Sequence, residues 1–243
     1  MKYYKALFLL VFFFLFCFTW DEKPLQVLTY DQPGGCRQGL VVFLRGMGSG
    51  AESFEEEGFV DEVRARGLAY DMAAPDAHLG YYIDRSMIAR LKEDVIEPAK
   101  MRGCRKIWLI GVSMGGLGAI LYLKEHPQDV AGIYLMAPFL GKKFILNEIE
   151  AAGGVRLWNP GVYQDEDDWE RMLWHWIKTA VGDHPDKMIY LGYGTDDFYR
   201  QGSQLLAEVL PPDRVYAIPG GHDYPTFKAL WKLFLSGSAP LKE

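Results

Sequence analysis

Seven short apolar runs, over residues 26–30, 40–44, 68–73, 107–110, 131–136, 188–193 and 215–218, punctuate the chain, and most are separated by longer segments of helical spacing. A strand with one wet face alternates apolar and polar residues. These runs are close to continuous, so each is expected to be buried on both faces, a condition met by a parallel sheet with helices packed on either side. Helices are predicted over 53–66, over 85–102, where Ile88, Leu91, Val95 and Ile96 recur at helical intervals before Gly103, and over 117–126, which Pro127 closes. The expected fold class is therefore α/β, a mostly parallel, doubly wound sheet flanked by helices. One stretch breaks the rhythm. Residues 138–186 contain no strand pattern, and the aromatic and acidic run 165–177 reads as an amphipathic helix, so a helical lid insertion is expected there.

The chain is long enough for one sizeable core and short for two. Twenty-six Lys and Arg against 32 Asp and Glu leave a net charge of −6 with no basic stripe, which excludes the electrostatic footprint of a nucleic-acid binder. Lys2 and Lys5 precede an unbroken apolar stretch over 6–18, the length of a secretory signal core and short of the roughly 20 residues that span a bilayer. Residues 1–20 are thus expected to be a signal peptide or an uncleaved membrane anchor, with the catalytic domain over 21–243. Bulky residues from Phe16 to Trp20 argue against a clean cleavage site; Cys17 as a lipidated cysteine and a buried amino-terminal strand are the other readings. Export would place the domain in the periplasm, outside the cell or on a membrane, where Cys36 and Cys104 can pair. Cys36 lies four residues before the run at 40 and Cys104 three before the run at 107, so neighbouring parallel strands would bring both sulfurs to one end of the sheet. Two unrelated thiols are the alternative.

Glycine is over-represented, with 26 copies against an average near 7%, and it clusters where apolar runs end. Gly111-Val112-Ser113-Met114-Gly115 sits between a strand and a helix. This is the spacing of a nucleophile elbow, in which small residues let the chain turn sharply and expose a serine Oγ. A serine needs a base oriented by a carboxylate, and with this elbow the expected chain order is serine, acid, histidine. The run at 188–193 ends in Gly194-Thr195-Asp196-Asp197, and the run at 215–218 ends in Pro219-Gly220-Gly221-His222-Asp223. His222 is the expected base. Asp197, three residues past Gly194, is preferred over Asp196, which is expected to cap the following helix. His78, His126, His175 and His184 are weaker candidates by position. The loop Arg45-Gly46-Met47-Gly48-Ser49-Gly50 after the run at 40 can turn main-chain N–H groups toward one point, and the N–H groups of Met47 and Met114 are assigned to the oxyanion hole. A rival reading takes Gly46 to Ala51, with Asp71 twenty residues further on, as a dinucleotide fingerprint. No His-x-x-x-His or Cys-x-x-Cys spacing suggests a metal.

These motifs resemble those of the α/β-hydrolases. The likeness rests on Arg45-Gly46-Met47, where that family commonly shows His-Gly-x, on the serine elbow, on Gly194 to Asp197, and on Pro219 to Pro225, which is similar to the Gly-Gly-His-Asp of esterase-D-like acyl esterases. The resemblance implies a serine hydrolase that cleaves carboxylic esters through an acyl-enzyme, with no cofactor and a small-molecule or lipid-like acyl ester as its partner. It implies adjacent strands at 40 and 107, which supports the Cys36–Cys104 bridge. An acyltransferase or a thioesterase would use the same triad, and a binding module without catalysis is the third class. Arg45 departs from the family histidine; it is expected either to make a structural contact or to set a positive charge before an acidic acyl or leaving group. Trp158, Trp169, Trp174 and Trp176 are expected to form an apolar wall if the insertion is a lid, or else its core.

Overall fold

The computed structural model describes residues 23–36, 38–164, 168–181, 188–236 and 241. Residues 1–20, with the expected signal or anchor, and His184 lie outside them. Seven strands form one sheet: β1 Val27–Tyr30, β2 Gly39–Leu44, β3 Tyr70–Pro75, β4 Ile107–Val112, β5 Gly132–Met136, β6 Ile189–Gly194 and β7 Val215–Ile218. Their spatial order is β1-β3-β2-β4-β5-β6-β7, with β1 antiparallel to β3 and every other pair parallel.

The continuous apolar runs are explained by two cores, one on each face. Leu40, Val42 and Leu44 of β2 point into one, while Val41 and Phe43 point into the other; Ile107 and Leu109 of β4 likewise oppose Trp108 and Ile110. The second face is covered by α1 Ser53–Glu56, α2 Phe59–Ala65 and the carboxyl-terminal helix α10 Tyr224–Ser236, whose aromatic residues stack around Phe43 and Tyr134. The first face is covered by α3 Leu79–Ile83, α4 Met87–Leu91, α5 Glu97–Met101, α6 Met114–Glu125, α7 Lys143–Ala151, α8 Trp169–Trp176 and α9 Arg200–Ala207.

Two helices differ from their sequence pattern for backbone reasons. The helix predicted over 53–66 divides at Gly58, which takes a φ of +78°. The one over 85–102 starts at Met87 and carries a π-turn, Lys92–Ile96, immediately before Pro98. Pro98 has no N–H, and the turn relieves the ring's clash with the preceding carbonyls by sending the Glu97 N–H back five residues to the Lys92 carbonyl.

Leu40 pairs in register with Ile107, so the segments that carry the cysteines enter at the same end of the sheet. There the structure joins Cys36 to Cys104, with Cα atoms 5.1 Å apart. The dinucleotide reading fails on the same register. Asp71 is level with Leu40, at the amino end of the parallel strands and away from the glycine loop that follows Leu44, and it accepts the Gln32 N–H at 2.9 Å.

Between β5 and β6 the described residues hold α7 and α8 and no strand. Arg171 of α8 grips Glu148 of α7 with two parallel bonds of 2.6 and 2.8 Å, and the Trp158 indole N–H reaches the same carboxylate at 2.9 Å. Trp158 and Trp174 are fully buried, so the wall expected of them is core packing instead; Trp174 donates its Nε1–H to the Leu140 carbonyl at 2.7 Å. Hydrogen bonds from Arg171 hold the Glu148 carboxyl below its ordinary value of 4.5 against the opposing effect of burial. A depressed carboxyl stabilises the fold fully above that ordinary value and loses its contribution as the pH falls through the lowered folded value. The fall in melting temperature between pH 6 and pH 3 is therefore expected to be smaller in Glu148→Gln than in the parent chain. An equal fall in both, read by circular dichroism, would contradict this linkage. Among the described residues no helix is long and apolar enough to cross a membrane.

Candidate active site

The expected site residues converge on the carboxyl ends of the strands. β4 runs straight into α6 through Ser113, whose φ of 53° and ψ of −115° lie outside the regions that side-chain-bearing residues favour. The flanking glycines make this turn possible. A Cβ on Gly111 would be driven into the carbonyl of Gly115, and one on Gly115 into the carbonyl of Leu44. The turn is pinned on its other side by β5, since Ser113 N–H donates to the Met136 carbonyl at 2.9 Å and Phe139 N–H to the Ser113 carbonyl at 3.0 Å.

The acid and the histidine come from the next two strand ends. Asp197 is wholly buried after β6, and its Oδ1 accepts the Tyr199 N–H at 2.6 Å. Its Oδ2 lies 2.7 Å from His222 Nδ1, and because a carboxylate oxygen accepts, Nδ1 is the donor, which leaves Nε2 as the acceptor nitrogen of the neutral imidazole. Asp196 has a different task from the helix cap expected of it. Its N–H donates to the Gly220 carbonyl at 2.9 Å and its Oδ2 accepts the Gly220 N–H at 3.4 Å, which stitches the acid turn to the histidine loop. Asp223 is the residue that caps α10, through the Thr226 N–H at 2.9 Å. Three rings box the imidazole: Phe198, Tyr199 and Phe227, with centroids 4.9 to 5.1 Å away. Among the described residues no hydrogen bond joins Ser113 to His222. Tyr199 connects the two, lining a cavity with Ser113 while its ring stands 5.1 Å from that of His222.

The glycine loop after β2 lies against the serine, so that a Cβ on Gly46 would stand 3.5 Å from Ser113 Cβ. Neither the Met47 nor the Met114 N–H donates to any acceptor among the described residues. Arg45 corrects one expectation. Its side chain is buried and does not line the cavity; Nη1 donates to the carbonyls of Gly46, Met47 and Ser49, and Nε sits 2.5 Å from Asp76 Oδ1, close in distance but not aligned as a hydrogen bond. These contacts are those of the structural reading, with Arg45 bracing the loop. Arg45→Gln is expected to lower kcat/KM on neutral and anionic esters by the same factor, about tenfold to a hundredfold, because small misplacement of reacting groups has that effect. A selective loss on anionic esters, measured on a matched pair, would restore the substrate-contact reading.

The other histidines serve local roles: His78 accepts the Gly80 N–H at the start of α3, His126 follows the end of α6 against Tyr122, and His175 shares a 2.6 Å hydrogen bond with Tyr163. The cavity itself, of about 590 Å³, was not foreseen from sequence. Leu79, Tyr82, Met87, Ile88, Leu117 and Leu121 line it beside Ser113, and of the insertion Phe139, Trp169 and Met172 reach it.

A search by sequence against curated proteins finds no match. Solved structures with a similar fold include a ferulic acid esterase (17% identity, 86% of this chain and 96% of that one, TM-score 0.56). Others are the S-formylglutathione hydrolase of Staphylococcus aureus (14%, 87% and 94%, 0.57) and the fluorophosphonate-binding serine hydrolase F of the same organism (15%, 88% and 98%, 0.56). At these identities the likeness is one of fold. A model of the alpha/beta hydrolase family matches residues 41–236, and with that match spanning the elbow, the acid turn and the histidine loop, the chain belongs to the alpha/beta hydrolase family.

Proposed function

We propose that this chain is a serine hydrolase acting on carboxylic esters. The observation that carries the reading is Ser113, half-buried on a strained turn and facing the cavity, with the unpartnered N–H groups of Met47 and Met114 in the adjoining turns and a histidine oriented by a buried carboxylate at the same end of the sheet. Ser113 Oγ attacks the acyl carbonyl as His222 Nε2 takes its proton. The N–H groups of Met47 and Met114 hold the oxygen that becomes negative. The alcohol leaves with the proton from His222, and water repeats the sequence to release the acid. Asp197 keeps the imidazole in the tautomer and orientation this requires. The Ser113–His222 bond forms when substrate seats, as catalytic hydrogen bonds often tighten only then. A cavity lined mostly by aliphatic and aromatic side chains favours an uncharged, apolar acyl group over a charged one. The Cys36–Cys104 bridge supports folding in an oxidising compartment, in keeping with export or a membrane tether through residues 1–20.

The test is a fluorophosphonate probe, which phosphonylates only an activated serine. Labelling mapped to the peptide containing Ser113, and lost in His222→Ala, is the expected result. A folded protein that takes up no label refutes the enzyme reading.

A further inference from the structure

We propose that the carboxyl end of the sheet docks on a lipid bilayer, so that the cavity receives the acyl chain of a single-chain ester directly from it. The substrate half of this inference rests on the ester-hydrolase reading above; the docking half does not.

Three observations point the same way. The first is the rim. Met47, Leu79 and Ile83 line the cavity yet are 61%, 41% and 74% exposed, and Phe198, 65% exposed, packs at a tilt against the rings of His222 and of the cavity residue Tyr199. Single exposed apolar residues are ordinary, but three around one opening, with a fourth against the Tyr199 that lines it, form a patch of the kind that marks an interaction surface.

The second is where the chain enters the fold. Because β1 runs antiparallel, its first residue, Val27, is level with Pro75 at the carboxyl end of β3. Just before it, Tyr81, another cavity residue, donates its hydroxyl to the carbonyls of Lys23 and Pro24 at 3.2 and 3.4 Å, and Leu25 N–H donates to Asp94 at 2.8 Å. Residues 19–22 can separate the apolar stretch 6–18 from Lys23 by at most about 17 Å. The chain thus enters the described fold from the cavity side, at the end of the sheet opposite the disulfide. A bilayer is the partner that accepts both an apolar leader and an apolar rim.

The third is the shape of the cavity. Along α6 it is lined by Met114, Leu117 and Leu121, and polar residues, Lys124 and Glu125, appear only at the far end. From Met114 to Lys124 the helix rises about 15 Å. An extended hydrocarbon advancing about 1.25 Å per bond covers this in about a dozen carbons.

The experiment uses the full chain carrying Cys17→Ser, reconstituted in phosphatidylcholine vesicles under non-reducing conditions, with a polarity-sensitive fluorophore on Ile83→Cys or on Met101→Cys. Met101 is 81% exposed and lies three residues before Cys104, at the opposite end of the sheet. Blue-shifted emission quenched by brominated lipid at position 83, with aqueous emission at 101, is the expected result. Aqueous emission at both, or quenching at both, overturns docking. In the same vesicles Leu79→Glu/Ile83→Glu is expected to lower turnover of a dodecanoyl monoester, relative to the same ester and a soluble acetate ester supplied without vesicles, by about tenfold or more. An unchanged ratio overturns delivery from the bilayer. If position 83 is embedded but neither ester is cleaved, docking stands and the ester reading falls.

Discussion

Ser113→Ala is expected to lower kcat on any ester by about 10⁶-fold while leaving the fold intact, the scale on which removal of a triad serine acts elsewhere. In the proposed mechanism the hydroxyl oxygen is the atom that bonds to the acyl carbon, and nothing beside it in this site replaces it. His222 would be left to activate water from a position arranged for Oγ. Residual acceleration over water would come from the N–H groups of Met47 and Met114 and from substrate binding. Asp197→Asn should be less severe, about 10⁴-fold, since it disturbs the tautomer and orientation of His222 without removing the nucleophile. A second outcome separates chemistry from stability. The backbone at Ser113, with φ at 53°, is one that alanine adopts no more readily than serine but glycine adopts freely. Ser113→Gly should therefore be as inactive as Ser113→Ala and melt at a higher temperature. Activity within tenfold of the parent chain in Ser113→Ala would show that another residue is the nucleophile.

Much of this arrangement was legible because each piece is local. Burial on both faces writes itself as an unbroken apolar run, so all seven strands are found within a residue or two of their predicted ends. The turns at Gly111 to Gly115, Gly194 to Asp197 and Gly220 to His222 each need small residues at fixed offsets, and those offsets can be read along the chain. What depends on distant partners could not be read. The run 26–30 does not reveal that β1 is antiparallel, because direction is set by pairing with β3, and that reversal brings Lys23 and Pro24 to the cavity residue Tyr81. Leu117 and Leu121 sit at ordinary core spacing, yet both face the cavity. Trp158 and Trp174 have the composition of a wall and are core because Glu148 and Leu140 accept from their indole N–H groups and Arg171 lies over the Trp158 ring. Arg45 is legible as an anomaly in its motif, but its partners, carbonyls one to four residues on and Asp76 from the loop after β3, exist only in the folded loop.

Cys36→Ala/Cys104→Ala is expected to remove about 4 kcal/mol of stability, because the bridge closes a loop with a sequence separation of 68 and cross-links of that length restrict the unfolded chain most. For a domain of this size each kcal/mol corresponds to about 2–4 °C, so the melting temperature should fall by about 8–16 °C. Alanine is the better replacement because Cys104 is buried and a serine hydroxyl there would add an unrelated desolvation cost. The effect on catalysis should be close to nil at temperatures where the variant is folded. The bridge joins the segments entering β2 and β4 at the amino end of the sheet, whereas Ser113, Asp197 and His222 follow the carboxyl ends of β4, β6 and β7. One strand length of close-packed sheet, the six residues of β4, lies on the path between them, and β2 and β4 are paired along five consecutive positions without help from the sulfurs. A variant with unchanged kcat and a lowered melting temperature would place the bridge wholly on the side of folding. If kcat fell in proportion to stability at low temperature, strain at the cysteines would be reaching the elbow through β4, and the sheet would be a less rigid support for Ser113 than its paired register implies.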